Sequence, residues 1–170
     1  MGGQLPNIIQ RVRVAALVEK ARAERSYERH TDALASLQEV FQYYGTTRAT
    51  KTAPILANLL YADLSARVEN ETEAVSGCVT VLRQLTSTAK WIRTDSKKYI
   101  MLQCKWILIN CANVPDSCEI AKRIPTSLAD IRLSLVNRRL ITTFPMSSGD
   151  ADRLEAYLKS QGFPAKGSLP

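Results

Sequence analysis

Residues 31–44, TDALASLQEVFQYY, return forty-one positions later as residues 72–85, TEAVSGCVTVLRQL. Only Thr, Ala and a later Val are identical, yet polar positions match polar and apolar match apolar along most of the length. Such a recurrence points to a fold built from a repeating unit. The unit is helical: Tyr27, His30, Leu34, Leu37, Phe41 and Tyr44 follow at alternating steps of three and four, the spacing that keeps side chains on one helix face. Hydrophobic residues are 45% of the 170 and charged residues 23%, enough apolar content for one domain with its own core. Aromatics are only 6%, so Leu, Ala, Ile and Val carry the apolar load, which favours helices.

The punctuation divides the chain into about eight helices, read as a single helical domain over residues 1–162 with a flexible tail at 163–170. The first covers about 7–24, entered after Pro6, with Ile8, Ile9, Val12, Ala15, Ala16 and Val18 as its apolar face. The second begins at Ser26 or Thr31 and ends at Gly45, where glycine suits a helix-closing turn. The third tolerates Pro54 in its first turn and carries Ile55, Leu59, Leu60, Ala62 and Leu64 to about Val68. Thr72 reads as the N-cap of the fourth, whose inner face is Ala74, Val75, Cys78, Val81, Leu82 and Leu85. The fifth and sixth cover about 95–111 and 116–124, the latter stopped by Pro125, and a seventh covers 127–139. The last has Ser148 as N-cap, Asp150 and Asp152 in its first turn, Leu154, Tyr157 and Leu158 on one face, and Gly162 after it.

In order, these helices pair as antiparallel hairpins, and the echo falls on the second helix of successive pairs. One hairpin cannot bury its apolar faces alone, so it stacks on a neighbour of similar shape. Small and large residues alternate on those second helices: Ala33, Leu37 and Val40 in one copy, Ala74, Cys78 and Val81 in the other. In this the chain resembles tetratricopeptide-type repeats, over about two repeats with a period near forty-one. The resemblance implies an all-α stack of antiparallel helical hairpins, an α-solenoid closed by a C-terminal capping helix, that binds other proteins on its concave face. A compact helical bundle is the alternative.

No catalytic or cofactor motif is recognised. The single histidine, His30, lies on the apolar face of its helix and reads as structural rather than as a proton shuttle. The carboxylate pairs Asp150/Asp152 and Glu71/Glu73 sit at helix starts, where the macrodipole explains them. The seven glycines form neither GxGxxG nor GxxxxGK, and no serine sits in GxSxG. We therefore expect no enzyme activity, cofactor or metal, and no small-molecule ligand. Cys78, Cys104, Cys111 and Cys118 make no CxxC pair and no signal peptide is recognised, so reduced core thiols in an intracellular protein are expected. The most apolar run, residues 99–114, is interrupted by Gln103, Lys105 and Asn110 and falls short of the ~20 apolar residues of a membrane span. No membrane partner is expected.

Charge is the unevenly distributed feature. Nine basic and nine acidic residues precede Ala74, whereas residues 83–139 hold eleven basic and four acidic, an excess of seven that equals the net charge of the whole chain. At the centre Lys90, Arg93, Lys97, Lys98 and Lys105 alternate with Trp91, Tyr99 and Trp106, and Lys122 and Arg123 follow. Such a surface can meet an acidic segment of a protein partner. It can also neutralise phosphates while its aromatics stack on bases. Alternatively, the charges only solvate outer helix faces while both tryptophans fill the core. The favoured expectation is a non-catalytic scaffold or adaptor subunit of a larger assembly, contacting its partner through Lys90, Arg93, Lys97, Lys98, Lys105, Lys122 and Arg123. A helical nucleic-acid-binding module on residues 83–139 is the alternative.

Overall fold

Two turns in the computed structural model copy one another. Helix α1 (Ile8–Ser26) passes to α2 (His30–Gln42) through Tyr27, Glu28 and Arg29, and α3 (Ile55–Arg67) passes to α4 (Glu71–Ser87) through Val68, Glu69 and Asn70. The structure describes residues 8–43, 55–87 and 94–125, with Asp152, Arg153, Ala156, Lys159 and Ser160. Glu28 and Glu69 are both left-handed, at φ 59° and 62°. In the first turn the amide of Glu28 donates to Arg25 O (3.0 Å) and that of Arg29 to Glu24 O (2.8 Å). In the second, Glu69 donates to Ala66 O (3.2 Å) and Asn70 to Ser65 O (2.8 Å). These paired bonds satisfy carbonyls that a helix end otherwise leaves open, and they fold the chain back within three residues.

A third pair, α5 (Thr94–Asn110) and α6 (Ser117–Arg123), is joined by the longer turn 111–116. Its left-handed residue, Asp116 at φ 67°, directly precedes α6, and Ile120 N donates to Asp116 O at 2.9 Å. There is no strand among the described residues. The isolated residues from Asp152 to Ser160 are helical and exposed, within the stretch read as the last helix. The seventh helix, 127–139, together with Gly45, Ser148, Leu154, Tyr157, Leu158 and Gly162, lies outside the described residues.

Each helix packs on the next in sequence, and the first helices of successive hairpins also touch, α1 with α3 and α3 with α5. Helix α3 is therefore surrounded: every residue from Ala57 to Ser65 is buried. The echoed residues are its neighbours in the core. Ala33, Leu37 and Val40 of α2 and Ala74, Cys78 and Val81 of α4 are all fully buried, each large side chain contributing about 1.5–3 kcal/mol. Small residues set the helix separation. A Cβ on Gly77 would lie 2.9 Å from Ala62 Cβ, so α3 and α4 approach more closely than any side chain there allows. Forty-one residues earlier stand Ala21, also fully buried, and Ser36, whose hydroxyl donates to the buried Glu24 Oε1 at 2.7 Å.

Specific side-chain contacts mark the junction of the first hairpin with the second. The Phe41 and Tyr61 rings meet edge to face, with centroids 5.5 Å apart. Asp63 of α3 accepts from Arg25 Nε of α1 at 2.6 Å and from Arg67 Nε at 2.8 Å.

Three sequence expectations need correction. The apolar face assigned to α1 is largely in solvent: Ile8, Ile9 and Val12 are 77%, 76% and 68% exposed, and Ala15 and Ala16 are exposed as well. Its core face is Val14, Leu17, Val18 and Ala21, so of the expected residues only Val18 is buried. Tyr27 does not share a helix face with Leu34 and Leu37; it lies in the turn, 80% exposed, and α2 starts at His30 rather than at Ser26 or Thr31. Helix α4 begins at Glu71, so Thr72 is already inside it and Asn70 precedes it, its carbonyl taking the Ala74 amide at 3.1 Å.

Candidate functional site

The basic segment is divided by the fold. Lys98 is exposed and Lys97 half-buried near the start of α5, while Lys122 and Arg123 are exposed in the last turn of α6, where cations oppose the negative end of the helix dipole. Lys122 also pairs with Glu119 at 3.1 Å across one helical turn. Lys90, Arg93 and Trp91 lie outside the described residues.

Lys105 does not belong to the surface set. It is 2% exposed, and its ammonium donates to the Ile124 carbonyl at 3.0 Å, tying α5 to the end of α6. Burial lowers its pKa below the ordinary lysine value. Tyr99 is buried too, its hydroxyl taking a bond from Gln103 Nε2 at 3.5 Å, and Trp106 is half-buried. The aromatic partners expected for base stacking are thus partly used in packing. Sequence alone could not separate Lys105 from Lys98: both are lysines on one helix, and their fates depend on α6.

The thiols are held in the core. Cys78, Cys104 and Cys111 are buried and Cys118 is half-buried, all as free cysteines. The Cys78 thiol points at the Cys104 carbonyl (3.8 Å), and burial raises its pKa well above the usual value. Burial, with Glu71 adding, pushes Cys111 up to about 11. In both, burial disfavours the thiolate and favours the protonated thiol. Among the described residues no three His, Cys, Asp or Glu side chains are grouped to hold a metal, and no helix is long and apolar enough to cross a membrane. His30 is half-buried in the first turn of α2.

Sequence reasoning missed a groove of about 540 Å³ between α1 and α2, lined by Lys20, Glu24 and Tyr27 on one side and Arg29, Asp32 and Glu39 on the other. Ion pairs mark its rim: Arg29 with Asp32 at 2.8 Å, and Arg13 with Glu39 at 2.7 Å, the Arg13 guanidinium also lying 5.9 Å from the Tyr43 ring centroid. Beside it runs the exposed apolar stripe of α1. The signal that could have found this surface is the forty-one-residue register itself, extended back from α2 and α4 onto α1 and α3.

No family model, curated protein or solved structure matches this chain. Its class therefore rests on its own geometry: an all-α protein of six described helices, packed in sequence as adjacent pairs.

Proposed function

We propose that this protein is a non-catalytic helical scaffold or adaptor, a tetratricopeptide-like stack of hairpins that holds other proteins in a larger intracellular assembly. The observation that carries the reading is the hairpin built twice on one register, with the same left-handed glutamate and the same pair of capping bonds forty-one residues apart. The contacts of α1 with α3 and of α3 with α5 support a stack over a compact bundle, because they align the first helices of successive hairpins in one layer. Stacked layers offer long side faces suited to extended partners. The test is affinity purification of the full chain followed by size-exclusion chromatography and mass spectrometry. A protein that co-elutes in fixed ratio supports the reading; a chain that elutes as a bare monomer from every extract overturns it.

A second reading, nucleic-acid binding through residues 83–139, is favoured by the solvent-facing charges of Lys98, Lys122 and Arg123. Fluorescence anisotropy with a mixed-sequence oligonucleotide separates the two. Binding that weakens steeply with salt and is mostly lost on charge reversal at Lys97 and Lys98 favours this second reading. No binding at low salt eliminates it.

A further inference from the structure

The groove between α1 and α2 lies where the second hairpin places buried side chains. Forty-one residues on, its lining residues Lys20, Ala23, Asp32 and Glu39 become Tyr61, Leu64, Glu73 and Thr80. Tyr61 and Leu64 are buried, and the Tyr61 hydroxyl donates to Glu73 Oε2 at 3.1 Å. A side chain of α3 thus reaches α4 with an apolar body and a donor at its tip. In the first hairpin Ala23 is short and Lys20 is exposed, and about 540 Å³ stands open between the helices.

Acid lines that space. Glu24, matching Ser65, is 8% exposed and forms part of the groove wall. Ser36 Oγ donates to its Oε1 at 2.7 Å, and Glu24 has no ion pair and no second side-chain donor among the described residues. A buried carboxylate without a cation is costly, and such groups are ordinarily paired. Lys20 lies one turn before Glu24 yet makes no ion pair with it. Asp32 and Glu39 add two carboxylates from α2. Their partners Arg29 and Arg13 are more than half exposed, and surface pairs of that kind open at little cost.

We propose that this groove receives an arginine side chain of a partner protein, its guanidinium seated on the Glu24 carboxylate. The lining supplies each part of the fit: Ala23 and Ala35 flank the stem, Tyr27 offers an aromatic ring to the cation, and Glu24 and Asp32 take the donors. Guanidinium suits the site better than ammonium because it is more weakly hydrated and forks onto a carboxylate. In the second hairpin a neutral phenol meets a single carboxylate, whereas three line the groove here, so the donor carries charge. The proposal rests on the scaffold reading and names the side chain by which the partner is held.

The probe is N-acetyl-arginine-N-methylamide, titrated into the isotope-labelled full chain and followed by amide NMR shifts. Saturable shifts centred on Ala23, Glu24, Ala35 and Ser36 are expected, and none with the neutral isostere N-acetyl-citrulline-N-methylamide. Glu24→Gln keeps an oxygen for Ser36 while removing the charge, and should weaken binding about tenfold. Lys20→Met removes a competing ammonium and should tighten it about threefold. Lys20→Tyr combined with Ala23→Leu writes the second hairpin's residues into the first and should abolish binding. Both positions are exposed, so the double variant tests the groove even where Glu24→Gln fails to fold, and circular dichroism checks each protein. No saturable shift at these residues, equal binding of the citrulline compound, or indifference to the double substitution overturns the proposal. So does tighter binding of N-acetyl-tyrosine-N-methylamide, which makes a phenol the occupant. A co-purifying partner that the double variant retains refutes the groove while the scaffold reading stands. Arginine binding in a chain that co-purifies no protein keeps the guanidinium site and removes the scaffold reading.

Discussion

Helices α1 and α3 share a register, a length of turn and a left-handed glutamate, yet one is half in solvent and the other is enclosed. Counting from the turn, Ala23 and Leu64 are equivalent residues, and only Leu64 is buried. The difference teaches that two hairpins of the same turn geometry need not share the same surroundings. The number of packed neighbours decides how many faces of a helix must be apolar, and α3 has helices α1, α2, α4 and α5 against it.

The largest expected effect tests that contrast directly. Leu64→Ala should lower unfolding free energy by about 3 kcal/mol in chemical denaturation, since a fully buried leucine leaves a cavity. Ala23→Leu, at the equivalent exposed position, should change it by no more than about 0.5 kcal/mol. Similar losses at both sites would break the comparison.

Next comes the helix separation. Gly77→Ala brings a Cβ within 2.9 Å of Ala62, and overpacking of about 1–3 kcal/mol should outweigh the ~1 kcal/mol that alanine gains over glycine in a helix. Adding Ala62→Gly removes the facing Cβ and should recover most of the packing loss, read as a double-mutant cycle. In the first hairpin Ser36 already carries a Cβ at the matching position.

Smaller still, and of opposite sign, are the turns. Glu28→Gly and Glu69→Gly should each raise stability by about 1 kcal/mol, because a left-handed φ strains a residue with a side chain. Equal gains would confirm by thermal or chemical melts that the two turns are one structure used twice; a gain at one site alone would separate them.

The third hairpin departs from the other two, and its signature is a slope rather than a large change in midpoint. The pKa of Lys105 is lowered on folding, so the unfolded chain binds this proton more tightly. Stability should therefore rise with pH through the window that ends near the ordinary lysine value of 10.5. Cys111 acts oppositely: its thiol, raised from 9.0 to about 11, contributes stability that is lost as pH climbs through that range. The difference between wild type and Lys105→Met, measured by denaturation from neutral to alkaline pH, isolates the lysine. The variant should lack the upward contribution; identical profiles would mean that Lys105 is not buried as a cation.

Much of the architecture could be read in advance. The expected spans of the third to sixth helices agree with the observed ones to within one or two residues, because caps, prolines and three-and-four spacing act locally. The turns were less legible. Left-handed sites suggest glycine, and here Glu28 and Glu69 occupy them, so only the backbone reveals their equivalence. The α1 face was misassigned because two stripes compete on one helix, and nothing local tells Val14 from Val12. Among the candidate contact residues, Lys98, Lys122 and Arg123 stayed at the surface as their charge implied, whereas Lys105 was drawn under the end of α6.

The order of amino acids by itself determined the helical period, the pairing of neighbours in the chain, and the twofold use of Ala33, Leu37 and Val40 as Ala74, Cys78 and Val81. Those properties follow from backbone geometry over a few residues. Tertiary structure alone decided that Val14 turns inward while Val12 meets water, that Lys105 gives its charge to a helix end, and that α3 is enclosed while α1 keeps an open flank. Burial depends on which element arrives alongside, and that is settled by contacts between residues far apart in the chain.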